Sequence, residues 1–272
     1  MIGNLRSPEV ENWVIEFLIS NRIRITTLEG YSFKGKSITG LFERAESNVE
    51  VSAITEEDVR NFLLQREEDW RNRCLLSKKI GVPLYLIFWK DNIDSFRIYR
   101  ISIDGNNFVV DEIETLGGEN LAKWLAEFKS INVTKGWMRG EERLAFIDKC
   151  LRNHNVPWPG NLDGFISCGK SICCIIEFSR TKKKPVKDHD IRKYATTEDK
   201  NRWPPFNALK ETLGCKALII LWSSDEETVK IQEFNNFNSS GLHLIDENER
   251  YVKKGELLNY FKRICTDSKQ GQ

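Results

Sequence analysis

Apolar residues recur along the chain with two spacings, one typical of helices and the other typical of buried strands. At residues 8–20 they fall on one face of a helix. The continuous apolar runs at residues 84–89, 172–176 and 217–222 are rich in β-branched and aromatic side chains, as expected for strands covered on both faces. Because segments of the two kinds alternate, the pattern predicts an α/β fold.

The same pattern occurs twice along the chain. Matching residues recur 133 positions later: Trp70 and Trp203, Gly81 and Gly214, Trp89 and Trp222. The first helices, at residues 8–21 and 141–154, also correspond. An ordered series of this kind favours an internal duplication. The sequence therefore predicts two tandem modules, residues 1–132 and residues 133–272, each with a mixed central sheet flanked by helices.

Charge and cysteine content narrow the class of protein. The 272 residues carry 41 lysines and arginines against 40 aspartates and glutamates, so a basic surface for nucleic acid has to be local. Seven cysteines without a signal peptide predict free thiols in a reducing cytoplasm, and no apolar run has the length of a membrane span. Cys168, Cys173 and Cys174 lack the spacing of zinc ligands, which favours core cysteines over a metal cluster.

The stretch at residues 157–193 contains the chemistry on which the functional prediction depends. Asp163 follows a turn and opens a short hairpin, and Glu177 ends the buried strand at residues 172–176. Two carboxylates are therefore expected where neighbouring strands meet, beside a basic loop. Mg²⁺ prefers one or two carboxylates together with phosphate oxygens, so the pattern predicts a metal site that meets a phosphate. The competing interpretation is that both acids are solvated and inert.

These residues resemble the signature of the PD-(D/E)XK nuclease superfamily, which has the restriction-endonuclease-like fold. The signature is an acidic residue after a turn, a β-hairpin and then Glu-x-Lys at the end of the next strand. Here three residues separate Pro159 from Asp163, and Ser179 in Glu177-Phe178-Ser179 stands where lysine is expected. The resemblance implies an Mg²⁺-dependent endonuclease acting on DNA, with Mn²⁺ as a substitute metal. One site per chain implies nicking, unless two chains associate as a homodimer on the substrate.

The resemblance also implies roles for the charged residues around this site. Asp163 and Glu177 would hold the metal, and Glu142 or Glu141 on the first helix of the second module would complete its ligands. A nearby ammonium, from Lys182 in the loop or Lys193 on the next helix, would stabilise the charge of the transition state. The remaining cations would hold backbone phosphates of DNA: Arg180, Lys183, Lys184 and Lys187. The competing interpretation of these cations is a solvated charge run.

The first module lacks most of this site. In the alignment of the two halves, Gly30 stands at the position of the aspartate and Ala45 at that of the serine, whereas Glu43 retains the glutamate. This module is interpreted as a degenerate nuclease copy, retained for structure or for positioning DNA. The alternative function is a catalytically inactive nuclease-fold protein that binds nucleic acid or takes part in an assembly. A third is an unrelated α/β regulatory module. Trp158 is expected to pack rather than to stack on a base, and His189 to be an exposed capping residue.

Overall fold

The computed structural model describes residues 4–5, 12–129, 145–181, 185–193 and 200–270. Within these ranges the protein is mixed α/β, as the sequence predicts, with strands in both parallel and antiparallel pairing. The helices are α1 (Trp13–Ser20), α2 (Glu56–Leu64), α3 (Glu67–Ile80), α4 (Gly118–Glu127), α5 (Phe146–Asn153), α6 (Trp203–Leu213) and α7 (Lys254–Gln270). The strands are β1 (Asn4–Leu5), β2 (Thr26–Lys34), β3 (Ser37–Glu46), β4 (Leu84–Lys90), β5 (Ile93–Asp104), β6 (Asn107–Leu116), β7 (Gly160–Cys168), β8 (Ser171–Arg180), β9 (Lys216–Trp222), β10 (Thr228–Asn238) and β11 (Gly241–Lys253).

The chain forms two compact units. The first unit contains Met1–Ser7 and Leu28–Asn161, and the second contains Pro8–Thr27 and Leu162–Gln272. In the first unit β2 pairs antiparallel with β3, β3 pairs parallel with β4, and β5 and β6 follow in antiparallel order. In the second unit β7 to β11 follow the same order with the same pairing senses. β3 and β8 therefore occupy matching positions in their units.

Neither α1 nor α5 lies in the unit that its position in the sequence predicts. α1 belongs to the second unit, where Val14 and Leu18 are fully buried in a core with Leu257 and Phe261 of α7. α5 belongs to the first unit and packs against α4. The predicted boundary between residues 132 and 133 thus differs from the division into compact units. The apolar stripe of an amphipathic helix requires a hydrophobic partner, but it does not specify which one.

The elements that carry the candidate site follow from their sequences. The apolar run at residues 172–176 forms the middle of β8, where every side chain is buried and both edges of the strand have hydrogen-bonded neighbours. Gly81 and Gly214 end α3 and α6 in the left-handed conformation, with φ of 80° and 59°, which glycine adopts without a steric penalty from Cβ. Glycine therefore fixes the C-terminal ends of α3 and α6, and the buried run fixes the middle of β8.

Three segments differ from the predicted secondary structure. The sequence does not predict β6 and β11, which come last in the strand order of their units and carry many exposed polar residues. The helix predicted near residues 188–194 is wrong in its described part, where Val186–Asp188 and Ile191–Lys193 are short 3₁₀ turns. Asp190 Oδ1 accepts a hydrogen bond from the backbone N–H of Arg192 at 3.1 Å, a local contact that competes with helix formation.

Candidate active site

Asp163 and Glu177 lie side by side on adjoining strands of the second unit. Gly164 of β7 pairs with Ile176 of β8. Asp163 precedes Gly164 and Glu177 follows Ile176, so the two acids face each other across the pair of strands. The other edge of β8 pairs with β9, where Glu177 is opposite Ile219. Because apolar residues fill β8 up to this point, Glu177 is held inside the sheet rather than at its rim. The structure brings together the two carboxylates that the sequence singled out.

A guanidinium lies between these two carboxylates. Arg202 Nη2 donates to Asp163 Oδ2 at 2.8 Å, and the same nitrogen forms an ion pair with Glu177 Oε2. Asp163 Oδ2 also accepts a hydrogen bond from the backbone N–H of Phe178 at 2.9 Å. The cation that meets both acids is therefore an arginine that the sequence analysis did not identify.

The three charged groups differ in their exposure. The side chain of Glu177 is 2% exposed, whereas those of Asp163 and Arg202 are 19% and 34% exposed. Within the described residues, Glu177 Oε1 is buried and has no hydrogen-bond partner. Buried polar atoms are normally hydrogen-bonded, so an unpartnered carboxylate oxygen marks a place where water or an ion can bind.

Arg202 reaches the carboxylates because the residue after it is anchored. Trp203 begins α6, is buried, and packs on Phe206 and Phe234 at ring-centre distances of 6.2 and 6.1 Å. Prolines follow it in the first helical turn, where they are favourable. Arg-Trp-Pro-Pro is therefore a recognisable helix start with an aromatic anchor. This local signal locates the start of α6, but it does not reveal which strands the arginine will meet.

The structure gives different outcomes for the other predicted site residues. Glu142, Lys182, Lys183 and Lys184 lie outside the described residues, as does the side chain of Lys193. Arg180 ends β8, donates to Ser224 Oγ at 3.0 Å and lies over the ring of Trp222. Lys187 is exposed in the turn Val186–Asp188. Arg180 therefore contacts the start of the segment after β9, and Lys187 remains a surface cation.

His189 is buried, so the expectation of an exposed capping histidine is wrong. The residue follows a 3₁₀ turn in extended conformation rather than starting a helix. Its backbone carbonyl accepts a hydrogen bond from Lys230 Nζ at 3.2 Å, and Lys230 also forms an ion pair with Glu249 at 3.2 Å. The segment is thus held to β10 by a buried lysine.

Glu43 of β3 occupies in the first unit the position of Glu177 in the second. The side chain is 1% exposed, and its Oε1 accepts hydrogen bonds from Arg73 Nε at 2.9 Å and from the backbone N–H of Glu29 at 3.1 Å. Burial raises the pKa of the Glu43 carboxyl to about 7, although the neighbouring Arg73 guanidinium lowers it. Both units therefore contain a buried glutamate in contact with an arginine.

The first unit has Glu29, and not Gly30, at the position of Asp163, because Gly30 pairs with Phe42 as Gly164 pairs with Ile176. The assignment of Gly30 to the aspartate position is therefore wrong, and the side chain of Trp158 lies beside Gly30. A Cβ at this position would lie 3.0 Å from Trp158 Nε1, which is closer than side chains normally approach. Trp158 donates from this nitrogen to the carbonyl of Glu29 at 3.0 Å, and the guanidinium of Arg44 lies 4.7 Å from the ring centre. Trp158 packs within the first unit, as expected, and leaves no space for a side chain at Gly30.

Comparisons with known proteins add little. No family model and no curated protein matches this sequence. Among solved structures, the chain is similar to one described as the crystal structure of the sex pheromone staph-cAM373 precursor, with 11% sequence identity. That match covers 89% of this chain and 84% of the other, with a TM-score of 0.20, and it carries no argument about fold or function. Among the described residues, no helix combines the length and the apolar character needed to cross a membrane.

Proposed function

We propose that the second unit is a metal-dependent phosphodiesterase that cleaves DNA and resembles nucleases of the PD-(D/E)XK superfamily. The observation that supports this proposal is the meeting of Asp163, Glu177 and Arg202, with one oxygen of the buried glutamate unpartnered among the described residues. Two acids and a cation at the end of a hairpin are the elements that the sequence resemblance implies. We further propose that the protein acts in the reducing cytoplasm that its cysteine content predicts.

The donor set fits Mg²⁺, with Mn²⁺ as a substitute. Mg²⁺ is usually bound through one or two carboxylates, water and substrate phosphate, and seldom by a closed protein cage. Asp163 and Glu177 would hold the ion, and the partial exposure of Asp163 gives a substrate phosphate access to the site. When bound, the ion would supply an activated water and neutralise charge on the leaving oxygen.

Arg202 provides the positive charge that the family signature places at the position of Ser179. A guanidinium binds phosphate oxygens through two parallel hydrogen bonds and remains protonated at any physiological pH. Arg202 therefore acts by electrostatic stabilisation of the scissile phosphate and not as a proton donor. Its partial exposure allows the side chain to turn from the carboxylates toward a phosphate. In this proposal Lys182 and Lys193 are not needed for that role.

We also propose that the two units are copies of one module and that the first has lost the site. The matching strand order and the glutamate–arginine contact in both units support this proposal. The first unit has Glu29 and Glu43 at the positions of Asp163 and Glu177, but Glu29 is paired with Arg44 and Glu43 with Arg73. Because each of these acids has an arginine of its own, one active centre per chain is expected, in the second unit. Such a chain would nick duplex DNA, and a homodimer on the substrate would cut both strands.

A second candidate function is a catalytically inactive nuclease-fold protein that binds nucleic acid or takes part in an assembly. The observation that favours it is the contact of Arg202 with both carboxylates, because a permanent ion pair would have the same geometry. The Glu43–Arg73 pair, which is almost fully buried, shows that this chain uses such a contact inside a core. The two candidates differ in whether Arg202 gives way to a metal.

A plasmid assay distinguishes these candidates. The full chain is incubated with supercoiled plasmid in Mg²⁺, Mn²⁺ or a chelator, beside Asp163→Asn, Glu177→Gln and the matched first-unit control Glu43→Gln. We expect metal-dependent nicking by wild type and by Glu43→Gln, and a loss of at least about 100-fold in the two second-unit variants, as for removal of a transition-state contact. A second expectation is that Arg202→Lys retains more activity than Arg202→Met.

The opposite result is equally informative. If the folded protein cleaves neither duplex DNA, single-stranded DNA nor RNA in either metal, the catalytic proposal is wrong. Fluorescence anisotropy with labelled DNA then tests the second candidate, since binding through lysines and arginines must weaken steeply as salt is raised. Absence of both cleavage and salt-sensitive binding would exclude both candidates.

A further inference from the structure

Three cysteine sulfurs converge in the second unit, two of them near the turn of the hairpin whose other end carries Asp163 and Glu177. The Sγ atoms of Cys168, Cys173 and Cys265 all lie within 4.8 Å of one another. Cys173 is buried, whereas Cys168 and Cys265 are partly exposed. The sequence spacing favours core cysteines here, because it does not show that α7 brings Cys265 to the hairpin of β7 and β8.

A register shift in the hairpin of β7 and β8 sets the position of the Cys173 thiol. Ile166 pairs with Cys174 and Ser167 pairs with Ile172, so Cys173 is the extra residue of β8. A residue at such a shift is left out of the ladder and its side chain is redirected. In the first unit the corresponding shift leaves Thr39 as the extra residue, and its hydroxyl donates to the carbonyl of Phe128. The second unit has a thiol there instead, facing two others.

The chemistry of three thiols suits a soft metal ion. Thiolates are preferred by Zn²⁺ and Cu⁺, whereas Mg²⁺ prefers oxygen ligands. With Zn–S distances of about 2.3 Å, tetrahedral geometry requires sulfurs about 3.8 Å apart. Sulfurs that all lie within 4.8 Å need only small side-chain adjustments to reach this separation. Because Cys168 and Cys265 are partly exposed, water can complete a fourth position.

We propose that Cys168, Cys173 and Cys265 form a binding site for a thiophilic d¹⁰ metal ion of the Zn²⁺ class. The proposal is independent of the nuclease function, since it concerns other residues and another ligand chemistry. Burial and the neighbouring thiols raise the pKa of Cys168, so this thiol is protonated without metal. Binding therefore releases the thiol protons to solvent as the sulfurs become ligands, with no change of oxidation state.

A cadmium titration tests the site in the full chain. Protein kept reduced by a phosphine and freed of metal by a chelator is titrated with Cd²⁺, and the sulfur-to-cadmium charge-transfer absorption is recorded. We expect saturation at one equivalent and displacement by Zn²⁺. Cys265→Ser should weaken the apparent affinity by at least about 100-fold, since even loss of a residue that only supports a ligand costs 10–100-fold. Cys150→Ser, a partly buried thiol of the first unit, is the matched control and should bind as wild type does.

A second measurement needs no substitution and so does not depend on how a variant folds. Wild-type protein is treated with iodoacetamide with and without Zn²⁺, and the alkylated cysteines are identified by mass spectrometry. Zn²⁺ should protect Cys168 and Cys265 but not Cys150. Equal alkylation in both samples, or identical cadmium curves for Cys265→Ser and Cys150→Ser, would overturn the proposal.

Discussion

Replacement of Glu43 by glutamine is expected to remove a pH dependence of stability that the wild-type protein has between pH 4.5 and about 7. Burial raises the pKa of this carboxyl from 4.5 to about 7 in the folded state. Below pH 4.5 the carboxyl is protonated in both the folded and the unfolded state, and above about 7 it is ionised in both. Between these values only the unfolded state has released the proton, so the free energy of unfolding falls as the pH rises.

The magnitude follows from the size of the pKa shift. At about 1.4 kcal/mol for each pKa unit, a rise from 4.5 to about 7 corresponds to a loss of about 3 kcal/mol across this range. Glutamine has nearly the same shape and cannot ionise, so the Glu43→Gln variant does not undergo this loss. The difference in unfolding free energy between variant and wild type should therefore change by about 3 kcal/mol, in favour of the variant, from pH 4.5 to pH 8.

Urea denaturation at a series of pH values measures this difference directly. Glu114→Gln is a suitable control, because Glu114 is exposed on β6 of the same unit. Subtracting the unfolding free energy of the variant from that of wild type at each pH removes the contributions of the titrating groups that the two proteins share. Parallel stability curves for wild type and Glu43→Gln over this range would refute the reasoning. They would mean that Arg73 compensates fully for the burial of the charge.

Two further substitutions test contacts of the second unit. Arg202→Met should lower the free energy of unfolding at pH 7, measured by urea denaturation, by about 1–3 kcal/mol. This loss is smaller than the about 3–5 kcal/mol typical of a fully buried pair, because Arg202 is partly exposed. Adding Glu177→Gln to this variant should restore most of the loss. If Arg202→Met were as stable as wild type, the buried carboxylate of Glu177 would not need Arg202 for its stabilisation. Gly164→Ala should cost about 1–3 kcal/mol, since its Cβ would lie 2.5 Å from Ile25 Cγ2. Gly160→Ala, whose Cβ would meet nothing within 4 Å, should change the thermal midpoint little, and equal midpoints for both variants would contradict the packing argument.

Sequence patterns located the features that are encoded by residues close together in the chain. The apolar run at residues 172–176 identified a buried strand, and with it the position of Glu177, because strand burial is encoded residue by residue. The turn before Asp163 placed that carboxylate on the adjoining strand. These local signals are sufficient to pair two strands of one hairpin. They do not extend to partners that the fold brings from elsewhere.

Long-range partners could not be predicted for a physical reason. Arg202 and Cys265 reach their sites only through the packing of α6 and α7, which no spacing in the sequence encodes. Arg202 is part of an ordinary helix start, and Cys265 is one of the weakly polar residues of an amphipathic helix. Neither residue stands out in the sequence. The outer strands β6 and β11 were missed because their exposed polar residues weaken the strand pattern.

The place of α1 in the second unit has a consequence during protein synthesis. The ribosome makes α1 more than 200 residues before α7, against whose Leu257 and Phe261 the helix is buried. At about 5–20 residues per second, this separation is on the order of ten seconds or more. Throughout that time the core around Val14 and Leu18 lacks the apolar side chains of α7, and the nascent chain carries an apolar helix face that is not yet fully covered. A chaperone that binds such segments would therefore meet this chain early, and would have to release α1 only after α7 has been made.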